Sequence, residues 1–405
     1  MGSITLPASK STVEGSVSLP LSKSISNRGL IISALSGGLV ENEKLSHADD
    51  TLMLQRLLDQ IAQAENTVIN CGNAGTVFRF LTAYLSITPG EWTLKGDDRM
   101  NLRPIGSLVD SLRIIEAEIE YLGEQEFPPL KIKGKPLSGG LTTIGAFISS
   151  QFISAMMMIG PMLPDGLRLT CIGNNVSTPY IYLTARLMRS AGAEVALDLP
   201  EIKIKGNGYK ECIIPYETDW SSAAFWYELL ALAEDGELFL PGLKEDSFQG
   251  DWLVKKYFYL FGIDTSFDSE GALIKKHDWL AEGFNFDITG NPDLAPAMIL
   301  ATAGKGFGGN FYGVAGLRNK ESDRTQALAN ELAKCGVICT LEPDFLSFKA
   351  QKLKISEAID TYNDHRIAMA FAPLAVLGEP ITINNPEVVS KSYPEFWTEL
   401  HKVLG

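Results

Sequence analysis

Arg186-Leu-Met-Arg-Ser-Ala-Gly192, followed by the extended stretch 193–197, reads as the end of an amphipathic helix that stops on a small residue and turns directly into a strand. The same unit recurs as Ser111-Leu-Arg-Ile-Ile-Glu-Ala117 before 118–122, as Lys256-Tyr-Phe-Tyr-Leu-Phe-Gly262 and as Glu331-Leu-Ala-Lys-Cys-Gly336, and the chain ends on His401-Lys-Val-Leu-Gly405. From 117, 192, 262, 336 and 405 the intervals are 75, 70, 74 and 69 residues, which makes an internal repeat with room for a sixth copy before Ala117. A period that long exceeds the solenoid motifs and suits a small α/β module.

Strands alternate with helices throughout, as in 68–70 before 76–86 and 167–172 before 180–191, so the class is α/β. At 405 residues the chain is too long for one core, and six modules divide naturally into two similar domains of three. Breakers at Leu19-Pro20 and Ile214-Pro215 mark two crossings. The first domain is then expected over 20–216, and the second over 1–19 and 217–405. Residues 123–140, rich in Pro and Gly, read as a loop with an edge strand at 130–133.

The net charge is −14, which argues against a general binder of nucleic acid or anionic membrane. Any anionic ligand must meet locally gathered bases. The longest apolar runs, 152–163 and 367–377, are too short to span a bilayer and each contains a proline; with no basic-then-apolar leader, the expected compartment is the cytoplasm. Five cysteines without a Cys-x-x-Cys pair read as reduced structural thiols, and four histidines make a zinc site unexpected.

Bases do gather at helix starts. Lys23 and Arg28 flank hydroxyls before a helix expected over 29–35. Asn73-Ala-Gly-Thr-Val-Phe-Arg79 forms a second such loop, in which Gly75 lets backbone approach a ligand, although it lacks the Gly-Lys-Ser/Thr of a P-loop. Arg99 and Arg103 precede Pro104, and Ser149-Ser-Gln151 and Ser177-Thr-Pro-Tyr180 open apolar helices. Farther on come Asn291-Pro-Asp293, Gly316-Leu-Arg-Asn-Lys-Glu-Ser-Asp-Arg324 with Ser322 as the expected N-cap, Asp364-His-Arg366, and Lys391. Each alone is an ordinary capped helix start. Together, in an acidic chain, they imply a small polyanion, with Asp293, Glu321 and lysines available for proton transfer.

In this order the segments resemble the enolpyruvyl transferase family, in its 5-enolpyruvylshikimate-3-phosphate synthase branch. The matches are Ser22-Lys-Ser-Ile-Ser-Asn-Arg28, Gly72-Asn-Ala-Gly-Thr76 with Arg79, Arg99-Met with Arg103-Pro, Ser149-Ser-Gln151 and Ser177-Thr-Pro-Tyr180. They continue through Asp219-Trp-Ser-Ser-Ala-Ala224, Asp293, Lys320-Glu-Ser-Asp-Arg324, Asp364-His-Arg366 and Lys391-Ser-Tyr-Pro394. The resemblance implies two domains, each of three βαβαββ modules around buried parallel helices, an inside-out α/β barrel, with the active site in the cleft between them. The implied reaction transfers the enolpyruvyl group of phosphoenolpyruvate to the 5-hydroxyl of shikimate 3-phosphate and releases phosphate through a tetrahedral intermediate, a step of aromatic amino-acid biosynthesis.

By the same resemblance, shikimate 3-phosphate meets Lys23, Ser24, Arg28, Ser149, Ser150, Gln151, Ser177, Tyr180, Asp293 and Lys320. Phosphoenolpyruvate meets Lys23, Gly75, Arg103, Gln151, Arg324, Arg366 and Lys391. The implied catalytic residues are Asp293, which takes the 5-hydroxyl proton with Lys320 alongside, and Glu321 and Lys23, which serve proton transfer at the methylene carbon. No metal or organic cofactor is implied; a monomer acting on small molecules is expected. Gly72 leaves room for glyphosate, so inhibition competitive with phosphoenolpyruvate is expected. Gly316 stands where many relatives carry an asparagine, and Phe80 where proline is frequent. The sister activity on UDP-N-acetylglucosamine usually needs a reactive cysteine, which residues 92–106 lack. A non-catalytic phospho-ligand sensor has no need for Asp293 and Glu321.

Overall fold

Strands β1 (Ser3–Leu6) and β2 (Thr12–Ser16) come first. The chain then divides into two compact units, Ser22–Tyr216, and Met1–Leu21 together with Glu217–Gly405. The computed structural model describes residues 2–9, 12–37, 44–63, 67–145, 149–173, 177–211, 213–278 and 283–405.

In Ser22–Tyr216 the order is α1 (Lys23–Ser36), α2 (Asp49–Gln63), β3 (Val68–Asn70), α3 (Gly75–Ile87), β4 (Gly90–Lys95), α4 (Asp98–Asn101), α5 (Gly106–Ile114), β5 (Glu118–Tyr121) and β6 (Leu130–Gly134). It continues with β7 (Gly140–Gly145), α6 (Ser150–Ile159), β8 (Leu167–Ile172), α7 (Thr178–Ser190), β9 (Val195–Asp198) and β10 (Glu201–Ile204). β3 pairs parallel with β4, β6 lies antiparallel to β4, and β5 closes the edge against β6. β7, β8, β10 and β9 repeat that pattern. A parallel pair needs a crossover helix, and an antiparallel pair needs only a short turn, so each sheet is one βαβαββ module.

The second unit continues with α8 (Trp220–Leu232), β11 (Asp235–Pro241), α9 (Val254–Tyr259), β12 (Ile263–Phe267), β13 (Gly271–Lys276), β14 (Phe284–Asp287), α10 (Ala295–Gly304) and β15 (Gly309–Tyr312). It ends with α11 (Arg324–Lys334), β16 (Cys339–Glu342), β17 (Phe345–Phe348), α12 (His365–Phe371), β18 (Ile381–Asn384) and α13 (Phe396–Leu404). Here β2 supplies the parallel partner of β11, so the first strand of this module lies before residue 22 and its helix begins at 220. β14, β15, β17 and β16 form another copy. The last module is reduced: Ile359 bridges parallel to Ile383, and β1 pairs antiparallel with β18. Among the described residues four sheets are open four-stranded layers and one, β1 with β18, has two strands; none closes into a barrel.

Helices that are apolar all round form the core. Every residue of α8 is buried, as is nearly all of α10, and the two pack together; α3 and α6 do the same in the first unit. Two helices depart from expectation. α1 begins at Lys23 rather than 29, so the Lys23–Arg28 segment is its first turns, not a loop before it. The apolar run 367–377 changes at Ala372 to a 3-10 turn, where Pro373 has no N–H to continue the α ladder.

One core residue is out of character. Glu228, in the middle of α8, is fully buried, and neither carboxyl oxygen finds a hydrogen-bond partner among the described residues. Burial alone pushes its pKa well above the ordinary 4.5, so the folded state holds a proton there that the unfolded chain releases. Stability must then fall as pH rises above the unfolded value, by up to about 1.4 kcal/mol per pH unit until the folded value is reached. Glu228→Gln removes the titration, and urea unfolding should show its advantage over the parent widening from pH 5 to pH 8; a gap that does not change with pH would count against a buried, protonated Glu228.

Candidate active site

In the unit Ser22–Tyr216 the polar side chains sit at the starts of helices. Lys23, in the first turn of α1, pairs with Asp50 at 3.0 Å. Arg28, one turn on, is buried; it donates to Thr184 Oγ1 (2.7 Å), Ser154 Oγ (3.2 Å) and the Ser24 carbonyl (2.9 Å). Its guanidinium lies 5.3 Å from the Phe80 ring centroid and 5.8 Å from that of Tyr180. Phe80 thus serves as a platform for Arg28. Burial lowers the Arg28 pKa to about 10, and no carboxylate pairs with it among the described residues. A buried cation compensated by hydroxyls, a carbonyl and rings, with no carboxylate among the described residues, favours an anionic ligand.

Gly75 opens α3 against Arg103: a Cβ there would lie 2.6 Å from both terminal guanidinium nitrogens, so only glycine allows that approach. Ser149 caps α6, accepting from Gln151 N at 3.2 Å. The Gln151 side chain donates to Thr76 Oγ1 (2.9 Å) and accepts from Arg79 Nη1 (2.7 Å), tying the starts of α3 and α6 together. Ser150 is buried beside it. Ser177 precedes α7 at φ 55°, a left-handed conformation that costs a non-glycine residue about 1 kcal/mol or more, and its carbonyl accepts from Tyr180 N. Gly72 is left-handed as well, at φ 47°.

The denser cluster belongs to the second unit. Arg324, the first residue of α11, donates through Nε to Asp364 (2.8 Å), through Nη1 to Asp293 (3.0 Å) and through Nη2 to Glu321 (2.7 Å) and Asp364 (3.2 Å). Four of the five guanidinium donors are thereby engaged. Arg366 grips Asp293 twice, at its carbonyl (3.0 Å) and its carboxylate (3.1 Å), and Lys320 Nζ lies 3.3 Å from the same carboxylate. The side chain of Arg324 is 1% exposed and that of Asp364 0%, against 17% for Asp293 and 24% for Lys320. Arg324 and Asp364 are the buried frame, and Asp293 and Lys320 are the more accessible groups.

Charge follows geometry. Burial would raise the Asp293 pKa, but Arg366, Lys320 and Arg324 outweigh it and hold the carboxyl far below its usual range. Burial lowers Lys320, with Asp293 opposing. Arg324 is depressed by burial but carried the other way by Asp364, Glu321 and Asp293, so it stays charged.

The expected cap of α11 needs correcting. Asp323, not Ser322, accepts from Gln326 N at 3.1 Å, and the Ser322 hydroxyl donates instead to Asp364 at 3.0 Å. Of the expected residues, Asp293, Lys320, Glu321, Arg324 and Arg366 come together in one cluster; Ser24, Arg28 and Tyr180 form another, Gln151 joins Arg79, and Gly75 joins Arg103. Lys23 turns to Asp50, and Lys391 ends the separate turn Pro386–Lys391. Sequence reasoning did not single out Asp50 or Asp364 as partners, because an acidic residue at a helix start is favoured by the dipole whatever it pairs with. A Cβ on Gly316 meets nothing within 4 Å, so the position is open. Cys71, Cys171 and Cys335 are buried, with the thiol of Cys171 pushed up to about 11 by burial, while Cys212 lies outside the described residues. Among the described residues no cluster of His, Cys, Asp and Glu could hold a metal ion.

A family model described as EPSP synthase (3-phosphoshikimate 1-carboxyvinyltransferase) matches residues 7–400. A 3-phosphoshikimate 1-carboxyvinyltransferase of Bacteroides fragilis is 41% identical over 401 residues, covering 98% of this chain and 97% of the relative. One from Pseudoalteromonas translucida is 36% identical over 422 residues, covering 97% of each. Among solved structures, an EPSP synthase from Acinetobacter baumannii matches at a TM-score of 0.80 over 99% of this chain and 98% of its own, and at 24% identity this speaks to the fold.

Arg324→Ala would leave Asp364, Asp293 and Glu321 buried or half-buried without their shared cation. Urea unfolding at pH 7 should show a loss of about 3–5 kcal/mol. A loss below about 1 kcal/mol would mean that the cluster does not depend on Arg324.

Proposed function

The chain belongs to the EPSP synthase family, shikimate-pathway enzymes that transfer the enolpyruvyl group of phosphoenolpyruvate to shikimate 3-phosphate, and from that premise we propose how its residues divide the reaction. It is a transferase with phosphoenolpyruvate and shikimate 3-phosphate as substrates. The observation that carries the assignment of roles is Asp293, a carboxylate held ionised by three cations at a position a substrate can reach.

Asp293 accepts the hydrogen of the 5-hydroxyl, with Lys320 beside it on the same substrate. The cations that keep Asp293 ionised also weaken it as a base. A weak base suffices if the proton leaves as the C–O bond forms, because the attacking oxygen becomes strongly acidic at that moment. Attack at C2 of phosphoenolpyruvate, with a proton delivered to the methylene carbon by Glu321 or Lys23, gives a tetrahedral intermediate. Loss of phosphate and of a methyl proton restores the double bond.

Shikimate 3-phosphate is held by Lys23, Ser24, Arg28, Ser149, Ser150, Gln151, Ser177 and Tyr180 together with Asp293 and Lys320. The buried Arg28, lacking a carboxylate partner among the described residues, supports this reading. Phosphoenolpyruvate meets Lys23, Gly75, Arg103, Gln151, Arg366, Lys391 and Arg324. Since four Arg324 donors are already engaged, the substrate's anion reaches it by exchange with Glu321, which accepts from Nη2. Substrate binding thereby releases the proton carrier. Glyphosate occupies the phosphoenolpyruvate position beside Gly72. The reading is completed by a cytoplasmic monomer, since both substrates are small biosynthetic molecules; no helix among the described residues is long and apolar enough to cross a membrane.

The test is phosphate release from phosphoenolpyruvate. It is expected with shikimate 3-phosphate as acceptor, not with UDP-N-acetylglucosamine, and with inhibition by glyphosate competitive against phosphoenolpyruvate. No release with shikimate 3-phosphate would sink the reading. Glu321→Gln should lower kcat roughly 10²–10⁴-fold. An effect confined to KM would make Glu321 a binding residue.

A further inference from the structure

Beneath Asp293 lies a second carboxylate that the reaction does not use. Asp251, in the 3-10 turn Gly250–Leu253 ahead of α9, is 1% exposed. Its Oδ2 accepts from the Ser221 hydroxyl in the first turn of α8 at 2.5 Å, and its Oδ1 accepts from the Asn291 amide at 2.9 Å. Asn291 is itself 2% exposed and begins the turn Pro292–Leu294 that carries Asp293: its N–H donates to the Ile288 carbonyl, and its own carbonyl accepts from Leu294 N, both at 3.0 Å.

The turn bearing Asp293 is therefore pinned from both ends. Arg366 holds the Asp293 end through its carbonyl and carboxylate, and Asp251 holds the Asn291 end through a side-chain amide. Pro292 stiffens the link between them, because its ring fixes φ and leaves few torsions through which Asp293 could drift independently of Asn291. With both Asp251 oxygens occupied by neutral donors in a buried site, nothing about it suits direct contact with substrate. Its neighbours Asp293 and Arg366 oppose each other electrically, Asp293 favouring the protonated acid and Arg366 the ionised one, with burial the strongest influence, toward the acid.

We propose that Asp251 is a positioning residue for Asp293: by fixing the Asn291 side chain against the starts of α8 and α9, it sets the angle at which the Asp293 carboxylate meets Lys320, Arg366 and the acceptor hydroxyl. The proposal rests on the roles given to Asp293 above. A displacement of about 1 Å in such a group can cost on the order of 100-fold in rate, and it does so in kcat, because the other substrate contacts are untouched.

The experiment is a double-mutant cycle on the full chain, with phosphate release as the assay. Asp251→Ala and Asn291→Ala should each lower kcat at least about 10-fold, with KM for phosphoenolpyruvate changed less than about 3-fold. The double variant should be no slower than the slower single variant, because both cut one link. Asp251→Asn keeps both hydrogen bonds, its oxygen accepting from Asn291 and its amide donating to Ser221, and should recover most of the lost kcat. Asn291→Ala at parental kcat, additive losses in the cycle, or Asp251→Asn as slow as Asp251→Ala would each overturn the proposal. Should Asp251→Ala fail to fold, Asn291→Ala and Asp251→Asn decide alone. A parent enzyme that released no phosphate would instead overturn the functional reading; an active parent with an unaffected Asn291→Ala overturns only the role of Asp251.

Discussion

The guanidinium of Arg324, shared among Asp364, Asp293 and Glu321, is the interaction on which the rest of the cluster depends. A buried charge survives only when its partners surround it, and here one planar fork serves three carboxylates that lie on separate loops. Asp364 caps α12, its carboxylate accepting from Ser322, Arg324 and the Arg366 backbone, so the starts of α11 and α12 are locked together. That lock is what lets Arg366 reach back to Asp293. The repeating modules supply the scaffold: the first turn of each helix, with amide donors left over from the helical ladder, is where polar groups collect.

The two units solve the charge problem differently. In Glu217–Gly405 three cations face Asp293, Glu321 and Asp364, which makes a set balanced in charge. In Ser22–Tyr216, Arg28 is satisfied by hydroxyls, a carbonyl and two rings. That environment is good enough to hold a cation but, among the described residues, supplies no opposite charge to it. Lys23 resembles the first arrangement, held in reserve by Asp50.

Much of this was legible in the residues. The helix stripes ending at Gly192, Gly262 and Gly336 mark the end of α7, α9 and α11, because the 3.6-residue period and a terminal glycine are local signals. What local signals cannot carry is pairing across distance. That β2 lies parallel to β11, more than 200 residues on, follows from no pattern within either strand. Ser322 and Asp323 are equally good caps by residue type, and Asp364, 42 residues from Ser322, decides between them. The charged residues of the cluster were visible as bases and acids at helix starts, and the family resemblance supplied their expected roles. The buried Asp251 sits in no charged motif and emerges only from the fold.

The central claim is that Asp293 is an ionised carboxylate because Arg366, Lys320 and Arg324 surround it. Infrared difference spectroscopy on protein carrying ¹³C-labelled aspartate, with Asp293→Asn as the reference, follows that one carboxyl as pH is lowered. The account predicts a band that stays in its carboxylate form well below about 3.9, the ordinary aspartate value. A carboxyl that takes up its proton at or above that value would contradict it.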